Sequence, residues 1–238
     1  MRVWSLLIGV GLLGACAQDN PTAIVAGVLA PEEDCSYSSS SEVFLLDGAY
    51  DISPGTDDVC QKPYQAGLQV NSFLIARGSP QGPPPRAETA ILQMNTAEVS
   101  LKAVDGSLIA IGGGKLPNPF SVTTHATIFP AADNSPGRAV ASVELIPAAY
   151  AQHLAKFASP QQTITADITL FGRTTGGIDI ETADFQFPIS ICDGCLTMCQ
   201  AQLDALDDTQ RDVILAGCQD NASADGRFCI DASPGCAP

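Results

Sequence analysis

The chain has 238 residues, a formal net charge of −15 and a sequence pI near 4.2. This length suits one domain of ordinary size plus an appendage. An acidic surface of this kind repels nucleic acid and anionic headgroups, which excludes nucleic-acid binding. Solubility alone accounts for the charge, although cationic partners or divalent ions would also be attracted to it.

Residues 1–15 have the layout of a secretory signal peptide. Arg2 supplies a single positive charge, and an apolar run follows from Val3 to Leu13. The run is shorter than the roughly 20 apolar residues that span a bilayer. It ends in Leu-Gly-Ala-Cys at residues 13–16, an apolar residue and two small residues before a cysteine.

This tetrapeptide resembles the lipobox of bacterial lipoproteins, in which the cysteine becomes the lipidated first residue of the mature protein. Small residues fit the peptidase cleft, and the thiol of Cys16 would carry the lipid. The resemblance implies several acyl chains on Cys16 and so a stable membrane anchor, because one chain alone anchors only marginally. An ordinary buried cysteine near a cleaved signal is the alternative.

The mature chain would begin at Cys16 and be held at a membrane. Loss of Arg2 leaves ten basic and 26 acidic residues, a net charge near −16. Ala17 follows the cysteine, where an aspartate commonly retains lipoproteins at the inner membrane of enteric bacteria. Its absence favours the outer membrane. Residues 16–21 are polar, end in a proline and are predicted to be a tether.

Short segments with β-branched or alternating apolar residues predict strands, with turns about every ten residues. The predicted strands lie at 22–30, 42–52, 64–70, 97–103, 108–111, 120–129, 138–146, 164–171 and 178–191, and the strand at 42–52 is predicted to be broken near Asp47-Gly48. Asp105-Gly106 and Gly176-Gly177 are typical of hairpin turns, and Pro147 is suited to open a short helix to about Phe157. Residues 22–191 are therefore predicted to be mainly β, an antiparallel β-sandwich with one short helix.

Residues 192–238 differ in composition and are predicted to be a disulfide-rich extension with a helix at 200–216. Their apolar content is too low for a separate core, so disulfides would stabilise them. The predicted strand 178–191 runs into this segment without a flexible spacer, so we expect it to lie against the sandwich. Its six cysteines are Cys192, Cys195, Cys199, Cys218, Cys229 and Cys236.

Without Cys16 the chain keeps eight cysteines, an even number that could all pair. Cys35 and Cys60 are the natural N-terminal pair, and the other six allow 15 connectivities. The spacing Cys192-x-x-Cys195-x-x-x-Cys199 also suits zinc or redox chemistry. Reduced thiols survive poorly outside the cytoplasm, and a thioredoxin-type motif needs a βαβ context that this pattern lacks. Structural disulfides are favoured, and no cofactor is predicted.

Two other motifs hint at ligand binding. Asn221, Ser223 and Asp225 have the alternating spacing of a calcium loop, but a neutral first ligand and Ala232 at the twelfth place favour an ordinary polar loop. The glycines at 112–114 lack the serine or threonine of a phosphate-binding loop after the lysine.

The candidate imidazole bases are His125 and His153. Each is more typical of a structural or surface histidine than of a catalytic base. The sequence has neither a Gly-x-Ser-x-Gly elbow nor a His-x-x-x-His zinc pair.

Several segments together resemble a known group of proteins. They are the lipobox, the segment Tyr64–Ser72, the phrase Gly172–Gly177 before Phe187-Pro188-Ile189, and the start of the tail at Ile191–Leu196. The combination is similar to a family of uncharacterised outer-membrane-type bacterial lipoproteins. The resemblance implies a β-sandwich-like core and a Cys-rich tail; it brings no activity and no site residues.

Two functions are compatible with this reading. The first is a lipid-anchored envelope protein with a binding or structural role, whose partners would be the membrane and an envelope protein or polymer. The alternative is a carboxylate-dependent hydrolase of envelope or extracellular polymers. The hydrolase predicts two carboxyl groups about 5–10 Å apart in a deep cleft.

Overall fold

The computed structural model describes residues 21–32, 36–53, 63–76, 88–132, 135–199, 204–208, 210 and 229–231. The described strands are β1 (Ala23–Leu29), β2 (Phe44–Leu45), β3 (Gly48–Asp51), β4 (Tyr64–Ser72), β5 (Leu92–Lys102), β6 (Phe120–Ile128), β7 (Gly137–Ile146), β8 (Gln162–Thr174), β9 (Asp179–Glu181), β10 (Phe185–Cys192), β11 (Thr197–Cys199) and β12 (Cys229–Asp231). In this part of the chain no helix is long and apolar enough to cross a membrane.

Two sheets share one hydrophobic core, so the prediction of a mainly β sandwich with a short helix is confirmed. The first sheet has the order β2-β1-β4-β7, and all of its pairs are antiparallel. The second has the order β3-β10-β8-β5-β6, with β9 beside β8. Strands β11 and β12 form a separate parallel pair.

The alternation predicted for β4 explains how the first sheet faces the core. Tyr64, Ala66, Leu68 and Val70 are all buried in the cluster that joins both sheets. The opposite face of β4 is covered too, because the Gln69 side chain donates two hydrogen bonds of 3.1 Å to the carbonyls of residues 39 and 41. The segment before β2 therefore lies across the outside of this sheet.

The two ends of the sandwich differ. At one end, called here the open end, Ser72 pairs with Ala23 and Gly137 in the first sheet. Leu92 pairs with Ile128 and Thr174 at the same end of the second sheet. The opposite end, called here the capped end, contains the C-terminal ends of β3, β5 and β10.

A 3₁₀ helix, Ala148–Phe157, covers the capped end. It begins after Pro147, as predicted, and connects β7 with β8 where both strands meet that end of the core. Its buried residues include Tyr150, whose hydroxyl donates a 2.6 Å hydrogen bond to the carbonyl of Pro117. The helix therefore supplies apolar cover at the capped end, and the described residues include no comparable helix at the open end.

Three details of the predicted topology were wrong. First, β3 pairs parallel with β10, so the sandwich is not wholly antiparallel. Second, the predicted strand 178–191 is two strands, separated at Thr182, whose backbone and side chain both bond to Leu170 of β8. Third, 108–111 is not a strand: Leu108 makes an isolated bridge to Lys102, and Ile111–Gly113 is a 3₁₀ turn.

Candidate functional site

A groove of about 530 Å³ lies between the two sheets at the open end. Its walls come from two connections: the two ends of the connection between β4 and β5, residues 73–76 and 89–90, and the turn after β8. The lining is mainly apolar and includes Phe73, Leu74, Ala90 and Ile178. Among the described residues that line it, none is a carboxylate or an imidazole. The groove therefore suits apolar contact rather than acid–base chemistry.

Backbone hydrogen bonds fix the walls of the groove. On one side, the amide of Ala131 donates to the carbonyl of Leu74 at 2.7 Å, and Ile75 forms a bridge with Ala131. On the other side, the amide of Gly176 donates to the carbonyl of Thr89 at 3.0 Å, and the hydroxyl of Thr175 donates to the carbonyl of residue 88 at 2.7 Å. These contacts tie each loop to its neighbour and give the groove a defined shape.

Large apolar residues remain exposed at this end. Ile75 is 77% exposed, Phe129 65%, Ile178 58% and Phe73 48%. These four residues are called here the apolar patch. Single exposed apolar residues are common, but several together around one groove are typical of an interaction surface.

The described chain begins beside the apolar patch. The amide of Phe73 donates a 2.9 Å hydrogen bond to the carbonyl of Thr22, which extends the pairing of β1 with β4. Pro21 and Thr22 also line a surface pocket with Asp179 and Glu181 of β9. Whatever precedes residue 21 is therefore attached at the open end.

The carboxylates of this region are exposed rather than enclosed. Asp179 and Glu181 alternate on the short strand β9, where Asp179 is 86% exposed and 3.2 Å from the guanidinium of Arg173. A hydrolase would need two carboxyl groups in a deep cleft. These two carboxylates, on an open surface and partly neutralised by an arginine, give that alternative no support.

A buried polar cluster lies at the capped end, where the tail begins. Cys192 and Cys195 are joined by a disulfide, with their Cα atoms 5.9 Å apart. The buried carboxylate of Asp51 accepts backbone hydrogen bonds from Gly194 at 2.8 Å and Leu196 at 2.7 Å. It also accepts one from Ser53 at 2.8 Å. Asp51 therefore fastens the first residues of the tail to the edge of the second sheet.

This cluster is also where the described residues come closest to a metal site. One ligand atom from each of Asp51, Cys192 and Cys195 lies within 4.8 Å of the others. The two sulfurs are bonded to each other, and the carboxylate oxygens accept backbone N–H groups. A disulfide sulfur is not a thiolate, so the arrangement is structural rather than metal-binding.

Tyr50, which precedes Asp51 on β3, lies fully inside the core. Its ring makes an edge contact with that of Tyr64, with 6.1 Å between the centroids. Burial raises the pKa of the Tyr50 hydroxyl well above its ordinary value, and the nearby carboxylates of Glu144 and Asp51 add to the effect. The phenol is held neutral as part of the core.

The remaining predicted site residues fall into two groups. Cys199 and Cys229 lie in β11 and β12, where Thr197 pairs with Cys229 and Cys199 with Asp231. The following predicted residues lie outside the described part of the chain: Cys16, Cys35, Cys60, Cys218, Cys236, Asn221, Ser223 and Asp225. Most of the predicted helix 200–216 lies outside it as well.

The two histidines are not brought together. His125 is exposed on β6, and His153 is exposed on the 3₁₀ helix beside Gly112. Gly112, Gly113 and Gly114 all have positive φ angles and form the turn against that helix. This conformation explains the glycines, because residues with a Cβ rarely adopt it.

Sequence reasoning missed the groove and the apolar patch. The available signal was the position of Phe73, Ile75 and Phe129, large apolar residues just beyond the ends of β4 and β6. No protein-family model matches the sequence, and a search of curated proteins finds no match either.

Proposed function

We propose that this chain is a lipid-anchored protein of the cell envelope, with a binding or structural role and held by acyl chains on Cys16. The observation that carries the proposal is the signal-peptide layout that ends in Leu-Gly-Ala-Cys at residues 13–16. The resemblance to outer-membrane-type lipoproteins and the absence of an aspartate at Ala17 favour the outer membrane.

The fold supports a binding role more than catalysis. Its groove presents apolar side chains, and none of the lining residues that the structure describes is titratable. Such a surface recognises a partner through apolar contact, and the partners that we propose are the membrane and an envelope protein or polymer. The mature charge near −16 favours a partner that is neutral or cationic.

We expect Cys16→Ala to abolish membrane retention when the full chain is expressed in a Gram-negative host. Without the thiol no diacylglyceryl group can be attached, so the protein accumulates as unprocessed precursor or in a soluble fraction. Membrane fractionation and labelling with radioactive palmitate measure this. The matched control is Ala17→Ser, which keeps the cysteine and should remain labelled and membrane-bound.

Globomycin, which blocks the lipoprotein signal peptidase, provides an independent arm. It should cause the unaltered chain to accumulate as a precursor that still contains residues 1–15. Unchanged fractionation and labelling in both the Cys16→Ala protein and the treated cells would refute the anchor.

A further inference from the structure

We infer that the apolar patch of Phe73, Ile75, Phe129 and Ile178 inserts into the surface of the lipid bilayer that holds the anchor. The inference rests on the proposed function, because it takes the acyl chains of Cys16 as the link between the protein and the membrane. It adds a second contact, made by the folded domain itself.

The segment that follows Cys16 joins the sandwich beside the apolar patch. Thr22 bonds to Phe73, so the tether reaches the sandwich at the open end and directly beside the patch. Only residues 17–21 separate Cys16 from Thr22. A fully extended chain spans at most about 3.6 Å per residue, so Thr22 stays within roughly 20 Å of the lipidated residue. The open end is therefore the part of the sandwich that is held closest to the bilayer.

The apolar patch has the side chains that a membrane interface favours. Two of its four residues are phenylalanines and two are isoleucines, and all are about half exposed or more. Side chains of this kind gain free energy when they leave water for the interfacial region of a membrane. The parallel bridge between Ile75 and Ala131 holds the segment after β6 against the segment after β4, and Phe129 and Phe73 each lie two residues before it.

The exposed apolar residues of the capped end are arranged differently from those of the apolar patch. That end also has exposed apolar residues, Val43, Leu46, Val104 and Leu108. They belong to two separate segments, around β2 and after β5, and none of them lines the groove of the open end. They are attached at the far end from the tether and would point away from the membrane.

The apolar patch has two candidate partners, the lipid bilayer and a second copy of this chain. A second copy of this chain is the obvious alternative, but each copy has a net charge near −16 and the copies repel each other. A bilayer of zwitterionic lipid has no such repulsion. The short tether also keeps the bilayer at high effective concentration next to the patch. These considerations favour the membrane.

The test uses tryptophan as a reporter. The chain has a single tryptophan, Trp4, which is lost with residues 1–15. Ile75→Trp and Phe129→Trp place one reporter in the patch, and Val104→Trp, at a residue 80% exposed at the capped end, is the matched control. All three positions are exposed, so the substitutions leave the core unchanged. Each acylated mature protein is reconstituted in phosphatidylcholine vesicles, with or without bromine on the acyl chains.

We expect the brominated lipid to quench the Ile75→Trp and Phe129→Trp proteins and to leave the Val104→Trp protein bright. Mass spectrometry of the same samples establishes whether Cys16 is acylated. A chain without acyl groups would overturn the proposed function and this inference with it. Acylated proteins whose patch reporters keep their emission would overturn the membrane contact alone, and a blue shift without quenching would identify a second copy as the occupant.

Discussion

Leu68→Ala is expected to lower the free energy of unfolding by about 2–5 kcal/mol, the range seen for leucine truncation in protein cores. Leu68 lies in the middle of β4 and has no exposed surface. Both sheets pack against this part of the core, so neighbouring strands cannot close the cavity without losing their register. Urea denaturation of the mature protein measures the change through the transition midpoint.

The matched control for this substitution is Leu46→Ala. Leu46 is 87% exposed between β2 and β3, so truncation there removes little buried surface. A change within about 0.5 kcal/mol is expected at such a site. Equal effects of the two substitutions would mean that β4 does not form the centre of the core.

Asp51→Ala is expected to destabilise the protein by about 3 kcal/mol, because a buried donor left without its acceptor costs about 1–3 kcal/mol. The carboxylate is 1% exposed and accepts the amides of Ser53, Gly194 and Leu196. Alanine leaves these amides without that acceptor and releases the start of the tail from β3. Thermal unfolding followed by circular dichroism measures the loss.

Two comparisons identify the cause of that loss. Asp51→Asn keeps one acceptor oxygen and should fall between the wild-type protein and Asp51→Ala. Asp179→Ala removes an exposed carboxylate paired with Arg173, and exposed pairs contribute only about 0–1 kcal/mol. If Asp51→Ala were no more harmful than Asp179→Ala, the buried carboxylate would not be what fastens the tail.

The main features of the sandwich could be predicted because inward-facing apolar residues alternate with other residues along several of its strands. The buried residues of β8 follow a period of two, and the helix after Pro147 begins where the proline predicts. The start of β5 could not be predicted from the alternation. Its inward residues change from Leu92 and Met94 to Ala97 and Val99, because the register shifts between Met94 and Thr96. An extra residue at a bulge reverses the alternation, so a period-two pattern breaks there.

Pairing between distant strands could not be predicted either. The predicted segment 42–52 contains both β2 and β3, and the break at Asp47-Gly48 is where the chain crosses from the first sheet to the second. Local patterns contain no information about which strand β3 will meet, and its partner β10 is far along the chain. The same reasoning applies to Asp51, whose bonds to Gly194 and Leu196 join segments more than 140 residues apart.

The groove and the apolar patch have a similar origin. The walls are parts of connections with no motif of their own, and the site exists only because β4, β6 and β8 end, and β5 begins, at the same edge of the sandwich. The two ends consequently differ. The capped end bears the helix and the disulfide-linked start of the tail, and the open end is the one that we propose faces the anchor.

Intact-mass spectrometry of the mature protein, extracted from membranes with detergent, tests the central claim most directly. The account predicts a chain that begins at Cys16 and exceeds the mass of residues 16–238 by a diacylglyceryl group and any further acyl chain. A chain that retains residues 1–15, or one that begins at another residue without added lipid mass, would contradict it.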